Sequence, residues 1–285
     1  MKTCFRQRRK SLVLGLCVIL GALAVVTGAF ARPQRPASPQ ADNTLSVAAD
    51  PALLPYQFYK KGTREWQGIN IDIGKALSAK LGKTLVFKAA SFDTIIPGLK
   101  SKRYDLALTG MFDTKDREKV LDFIDYLKAK NNFLLLKSDP RTIKTFADLC
   151  GLRVGLNKGS FEVDLAKEQS QKCTQTGKDP IELRVFPDLN ANTLALVSKR
   201  VDVIPNDSAT NAYLIRTKPN QFKATGAYAT EGYFALAVPK RSPNLQPLFR
   251  AFKQVVASGE LRKILAKWGI ADRTVAKPLI NHAAF

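Results

Sequence analysis

From Leu45 onward the chain alternates short apolar runs with stretches whose apolar residues recur every three or four positions. Residues 45–49, 85–87 and 106–108 have the length and composition of buried strands. Between them, Ile73, Ala76, Leu77 and Leu81 fall on one helical face, with Gly82 placed to end the helix in a left-handed turn. Ile95, Ile96 and Leu99 mark a shorter helix. Residues 133–136 form an apolar run that is either a buried strand or a segment bridging two bodies. Beyond it, strand-like runs at 152–156, 181–186 and 201–204 alternate with helical patterns at 191–197 and 209–215. A second continuous apolar run covers 233–238. Leu248, Phe249, Phe252, Val255 and Val256 then mark one closing helix, and Leu261, Ile264, Leu265 and Trp268 the other. Strand and helix alternating in this way predict an α/β protein with mostly parallel sheets.

The two apolar runs bracket a central α/β unit. The chain is therefore expected to leave one lobe, build a second, and return to finish the first. This gives lobe 1 from 44–132 and 234–285, lobe 2 from 133–233, and two crossover strands as a hinge. In α/β folds ligands bind in crevices at the carboxyl ends of strands, so the crevice is expected between the lobes.

The amino-terminal segment reads differently. Lys2, Arg6, Arg8, Arg9 and Lys10 precede an uncharged apolar run over 12–30, and Ala29, Phe30 and Ala31 give the small-x-small pattern of a cleavage site. Residues 1–31 are expected to be a signal peptide, with retention as a membrane anchor the lesser alternative. The expected location is the periplasm. Residues 32–43 carry Pro33, Pro36 and Pro39 among small and polar residues, a composition suited to an extended linker.

Removing the signal lowers the formal net charge from +21 to +16. The basic residues are scattered and accompany no nucleic-acid motif, so no nucleic-acid partner is expected. Cys150 and Cys173 remain, an even pair that in an exported protein is more often a disulfide than a metal site. No metal or cofactor is expected. The sole histidine, His282, lies near the end of the chain, where a frayed tail is the default; histidine-based catalysis is thereby disfavoured.

An ordered series of motifs narrows the reading. Asp50, Pro51, Pro55, Tyr56 and Phe58 open it, followed by Gly68 through Ile73, Phe92 and Asp93, and Ile96 through Leu99. The most specific stretch is Thr109, Gly110, Met111, Phe112, Asp113, Thr114, then Asp116, Arg117 and Glu118. Gly155, Gly159 and Ser160, then Asp202, Asp207 and Ser208, and finally Lys267, Trp268 and Gly269 complete it. In order and spacing this series resembles the type 3 solute-binding proteins, the polar amino-acid receptors of ABC importers, over roughly 45–269. The resemblance implies a type II periplasmic-binding-protein-like fold, an amino-acid-like ligand, a membrane permease as partner, and a monomer that closes by hinge motion.

It also implies a site. A guanidinium fork grips both oxygens of a carboxylate, which fits Arg117 to the ligand carboxylate; without the resemblance, Arg117 is one charge in a short lysine-rich helix begun by Thr114. Asp207 matches the partner of the ligand ammonium, the role favoured over its alternative as a plain helix cap. Ser160 precedes a helix whose free N–H groups suit an anion, and also serves as an ordinary N-cap. Phe161, Gly110, Phe112, Asp50, Phe92 and Tyr56 match positions that line the pocket, core packing being the rival account of Phe92. Phe112 stands where many members carry a hydroxyl, and Leu53 where an aromatic often stacks on ligand. The alternatives are a prephenate- or arogenate-dehydratase-like enzyme on the same fold and a ligand sensor for a membrane receptor. Against the enzyme, no histidine and no carboxylate constellation here is tied to proton transfer.

Overall fold

Pattern becomes architecture through strand order. The structure, a computed structural model, describes residues 43–284. The expected signal peptide and all but the last residue of the expected linker lie outside the described residues. In chain order, β1 (Thr44–Ala49) is followed by three short strands, β2 (Ala52–Leu53), β3 (Gln57–Tyr59) and β4 (Trp66–Gln67). Then come α1 (Ile69–Leu81), β5 (Thr84–Ala89), α2 (Phe92–Lys100), β6 (Leu106–Phe112), α3 (Lys115–Glu118) and β7 (Leu121–Lys128). The middle of the chain forms β8 (Asn131–Leu136), β9 (Arg153–Asn157), α4 (Phe161–Gln175), β10 (Glu182–Phe186), α5 (Leu189–Val197), β11 (Ile204–Asp207), α6 (Ser208–Thr217) and β12 (Phe222–Tyr228). The elements β13 (Tyr233–Pro239), α7 (Leu245–Ala257), α8 (Glu260–Lys267) and β14 (Thr274–Ile280) close it.

Six strands, in the order β14-β7-β13-β6-β1-β5, build one sheet. The strands of the middle segment build a second system, β11-β8-β12 and β10-β9, joined by a parallel bridge between Val154 and Val203. The fold is thus two-lobed. The chain passes from the first system to the second through residues 129–130 and returns through 229–232.

The sheets are mixed rather than mostly parallel. β1 pairs in parallel with β5 and β6, and β9 with β10. The returning strand β13 runs antiparallel between β6 and β7, and β8 is antiparallel to both β11 and β12. A parallel pair needs a long crossover, and the four-residue α3 between β6 and β7 cannot provide one; β13, arriving from the other lobe, fills the gap instead.

Each lobe has its own apolar core. In the first, Val47 and Leu108 of the sheet meet Ile73 and Leu77 of α1 and Phe252 and Leu265 of the last two helices, while Ile95 and Leu99 of α2 cover Ala107 and Phe123 on the other face. In the second, Val154 and Leu156 pack on Ala166 and Cys173 of α4. Cys173 is bonded to Cys150, the disulfide expected from the sequence. Closing a loop of sequence separation 23 stabilises this lobe by ~3 kcal/mol on a chain-entropy argument. Gly82 ends α1 with φ 69°, as the pattern predicts. At the other end of α1, Gly68 has φ 132°, and a Cβ there would stand 2.4 Å from the Tyr56 carbonyl oxygen, so only glycine fits.

The carboxyl-terminal segment differs from the expected frayed tail. β14 pairs with β7 as the edge strand of the sheet, and Asn281 donates from Nδ2 to Asp122 and accepts from Phe123 N–H at 2.7 Å. The N–H of His282 donates to Asp113 Oδ2 at 3.2 Å, and its ring stacks on Tyr233. Edge pairing and side-chain bonds together hold a segment that composition marks as tail. Among the described residues no helix is long and apolar enough to cross a membrane.

Candidate functional site

The loop ends at the carboxyl edges of β1 and β6 face the amino-terminal ends of α4 and α6 across a cavity of about 60 Å³. All nine binding residues expected from the sequence border it. Asp50, Tyr56, Phe92, Gly110, Phe112 and Arg117 come from the first lobe, and Ser160, Phe161 and Asp207 from the second.

Arg117 is fixed by its short helix. Thr114 caps α3 by accepting the Arg117 N–H at 3.3 Å, which aims the side chain back over the end of β6. Arg117 as a whole is 9% exposed, and its guanidinium donates from Nη1 to the Phe112 carbonyl at 2.7 Å and from Nη2 to the Gly159 carbonyl at 3.1 Å, and lies over the Phe92 ring at 5.8 Å. Burial lowers its pKa, opposed by the charges of Glu162, Asp164 and Asp113. Two of its five N–H groups are met by carbonyls, neither of which carries a full charge. The fork is therefore a desolvated cation suited to a carboxylate.

Asp50 ends β1. Its Oδ1 accepts from the Ala52 N–H at 2.9 Å, and burial pushes its pKa up to about 6, with neighbouring Asp188 and Asp93 adding to the rise. Gly110 has φ 66°, and a Cβ there would meet Leu53 Cδ2 at 2.9 Å, so a side chain would crowd the wall. Phe112 lies against Phe161 with ring centroids 4.4 Å apart, one ring from each lobe. Phe92 shares the wall and the arginine contact, joining core packing to a place in the cavity.

On the second lobe, Ser160 stands at the N-cap of α4 but makes no capping bond, and its buried hydroxyl is turned towards Glu162. Asp207 does cap: its Oδ1 accepts from the N–H groups of Ala209 and Thr210 at 2.9 and 3.2 Å. The same oxygen accepts from Tyr56 Oη at 2.8 Å, and Oδ2 accepts from Arg273 Nη1 at 2.6 Å.

Sequence reasoning missed four polar groups here. Glu162, Asp188, Asn157 and Asn206 border the cavity. Glu162 is 9% exposed; Tyr228 Oη donates to it at 3.2 Å, and burial raises its pKa. An acid in the first turn of a helix reads in the sequence as a dipole partner, so its inward aim gave no signal. Asp188 caps α5 through the Ala191 N–H at 2.9 Å. A further residue, Arg273, stands behind the wall. The lining thus brings together the guanidinium of Arg117, the carboxylates of Asp50, Glu162, Asp188 and Asp207, and the aromatic faces of Tyr56, Phe92, Phe112, Phe161 and Phe234.

Two lobes closing on a polar, aromatic-lined cavity define a ligand-capturing protein of the periplasmic-binding type. Residues 45–271 match the model of the bacterial extracellular solute-binding proteins, family 3, and the chain belongs to that family. It is a substrate-binding protein of the amino-acid ABC-importer type, and the resemblance seen in the motif series is borne out. An arginine-binding extracellular protein of Bacillus subtilis is 31% identical over 217 residues, 75% of this chain and 82% of the relative. Among solved structures, an ancestral arginine-binding protein bound to arginine is 29% identical with a TM-score of 0.73, covering 80% of this chain and 98% of the other. An ancestral amino acid-binding protein, a precursor of cyclohexadienyl dehydratase, is 27% identical with a TM-score of 0.68, covering 79% and 95%.

Proposed function

We propose that this protein captures a cationic amino acid, arginine first among them, outside the cytoplasm and hands it to the permease of an ABC importer. One observation carries the reading. In a chain of net charge +21, Asp50, Glu162 and Asp188 border the cavity without an ion pair among the described residues, against the cation Arg117, while Asp207 is already met by Arg273. An excess of carboxylate inside a basic protein selects a ligand that brings positive charge, because each buried carboxylate is costly until a cation meets it. The arginine-binding relative and the arginine-bound ancestral structure support the same class.

In this reading Arg117 takes the ligand carboxylate, with Ser160 Oγ as a further donor, and Asp50 and Glu162 take its positive groups. Phe92, Phe112 and Phe161 cover its apolar stem. The division into 44–132 with 234–285 and 133–233 supplies the two moving bodies, and the crossings at 129–130 and 229–232 supply the hinge. Entry and release follow parting of the lobes that border the cavity. Closure then brings Lys158 to Asp93 at 2.8 Å across the mouth. Residues 1–31 serve as the export signal, and the bilobed body works as a monomer.

A thermal-shift screen tests this. L-Arginine, L-lysine and L-histidine are expected to raise the melting temperature, since a ligand bound only to the native state stabilises it by about 2.7 kcal/mol at a hundredfold excess over Kd. A shift with L-glutamate or L-aspartate and none with the cationic amino acids overturns the assignment.

A further inference from the structure

Arg273 ends a single helical turn, Ala271–Arg273, between α8 and β14, and is 3% exposed. It belongs to no motif of the sequence series. Its Nη1 donates to Asp207 Oδ2 at 2.6 Å and to Tyr56 Oη at 3.3 Å, and its Nη2 donates to Ser208 Oγ. Asp207 Oδ1 is filled by Tyr56 Oη and two backbone N–H groups. The carboxylate of Asp207, itself 5% exposed, is therefore paired inside the protein before any ligand arrives. The other three acids at the cavity, Asp50, Glu162 and Asp188, form no ion pair among the described residues.

We propose that Arg273 is a positioning residue that sets the charge specificity of the cavity: it is an internal cation occupying the place beside Asp207 that a ligand cation would otherwise fill. Two consequences follow from its geometry. The Tyr56 ring is held in the wall by bonds to both members of the pair, and the ligand's positive groups are directed to Asp50 and Glu162 instead of Asp207. A buried ion pair of this kind adds little net stability by itself, but removing one partner strands the other. Neutralising Arg273 alone thus leaves an unmet carboxylate at the cavity edge, which a positively charged ligand then satisfies.

The inference rests on the proposed capture of a cationic amino acid. Its test uses L-arginine and L-citrulline, which share a shape and differ by one side-chain charge, titrated by calorimetry into the full mature protein. A unit charge gained across one cavity width, screened by an effective dielectric near 20, is worth about tenfold or more. Arg273→Met is accordingly expected to raise the arginine-to-citrulline affinity ratio about tenfold, Arg273→Lys to keep it near wild type, and Asp207→Asn with Arg273→Met to restore it. A folded Arg273→Met protein whose ratio stays within about twofold of wild type overturns the proposal. If Arg273→Met does not fold, Asp207→Asn is compared with the double variant. The single variant, with its stranded guanidinium, is expected to show a ratio about tenfold below the double, and equal ratios overturn the proposal. Failure of the wild type to bind either compound removes the proposed function itself, whereas tight wild-type binding with unmoved ratios removes only the role of Arg273.

Discussion

Arg117 Nη2 donates to the carbonyl of Gly159 at 3.1 Å, a bond between residues 42 positions apart that joins the end of β6 in one lobe to the turn before α4 in the other. The contact works only because Gly159 has no side chain. It has φ 78°, and a Cβ there would stand 3.0 Å from the Asp93 Cα. The turn that presents its carbonyl to Arg117 thus also lies close against the Asp93 backbone of the first lobe.

Gly159→Ala is expected to hinder closure while leaving both cores untouched. The left-handed φ costs an alanine ~1 kcal/mol, and the contact with the Asp93 backbone adds to it in the closed state alone. Affinity for L-arginine should fall about tenfold. The check is calorimetry beside a thermal melt of the unliganded protein, whose midpoint should change by much less than the binding does.

Binding should depend on pH through Asp50. Burial holds its folded pKa at about 6, above the ordinary carboxylate value. A cation bound beside it favours the ionised form, so affinity for L-arginine is full above about pH 6 and declines below, by up to about tenfold per pH unit. Asp50→Asn should bind more weakly at neutral pH and lose this dependence. The measurement is the Kd between about pH 5 and about pH 7.5, and a flat profile in the wild type contradicts the assignment.

Stability should depend on pH in the opposite sense, through Asp113 and Asp125. Asp113 and Asp125 are both fully buried beside one another, and Asp113 Oδ2 accepts from the His282 N–H at 3.2 Å. Burial raises both pKa values, and the neighbouring carboxylate of Glu118 adds to it. The folded state therefore holds a proton that the unfolded chain releases near pH 4. This contribution is complete below that pH and is lost as pH rises through the folded values, at up to about 1.4 kcal/mol per pH unit and proton. Asp125→Asn is expected to raise the melting temperature at about pH 8 and to flatten the decline; a lower melting temperature there contradicts the account.

Much of this was legible in the chain. Helix faces, the left-handed end at Gly82, the disulfide pair and the motif around Arg117 are local signals, and each depends on residues close in sequence. What was not legible is long-range. Whether a strand runs parallel or antiparallel depends on where the returning chain inserts, and β13 enters between β6 and β7 from the far lobe. β14 carries Lys277 and Pro278 and reads as tail, yet pairing with β7 makes it an edge strand, where proline is tolerated. At the cavity, Arg117 was found because its motif is contiguous. Glu162 looked like ordinary helix-start chemistry, and Arg273 lies 66 positions from the carboxylate it meets.

The central claim is that the Arg117 fork holds the ligand carboxylate. Titrating L-arginine into the wild type and Arg117→Ala by calorimetry tests it most directly, with far-ultraviolet circular dichroism confirming that the variant folds. Losing a desolvated charge-to-charge hydrogen-bonded contact costs roughly 3–5 kcal/mol, so the variant is expected to bind at least about a hundredfold more weakly. A folded Arg117→Ala protein with wild-type affinity contradicts the account.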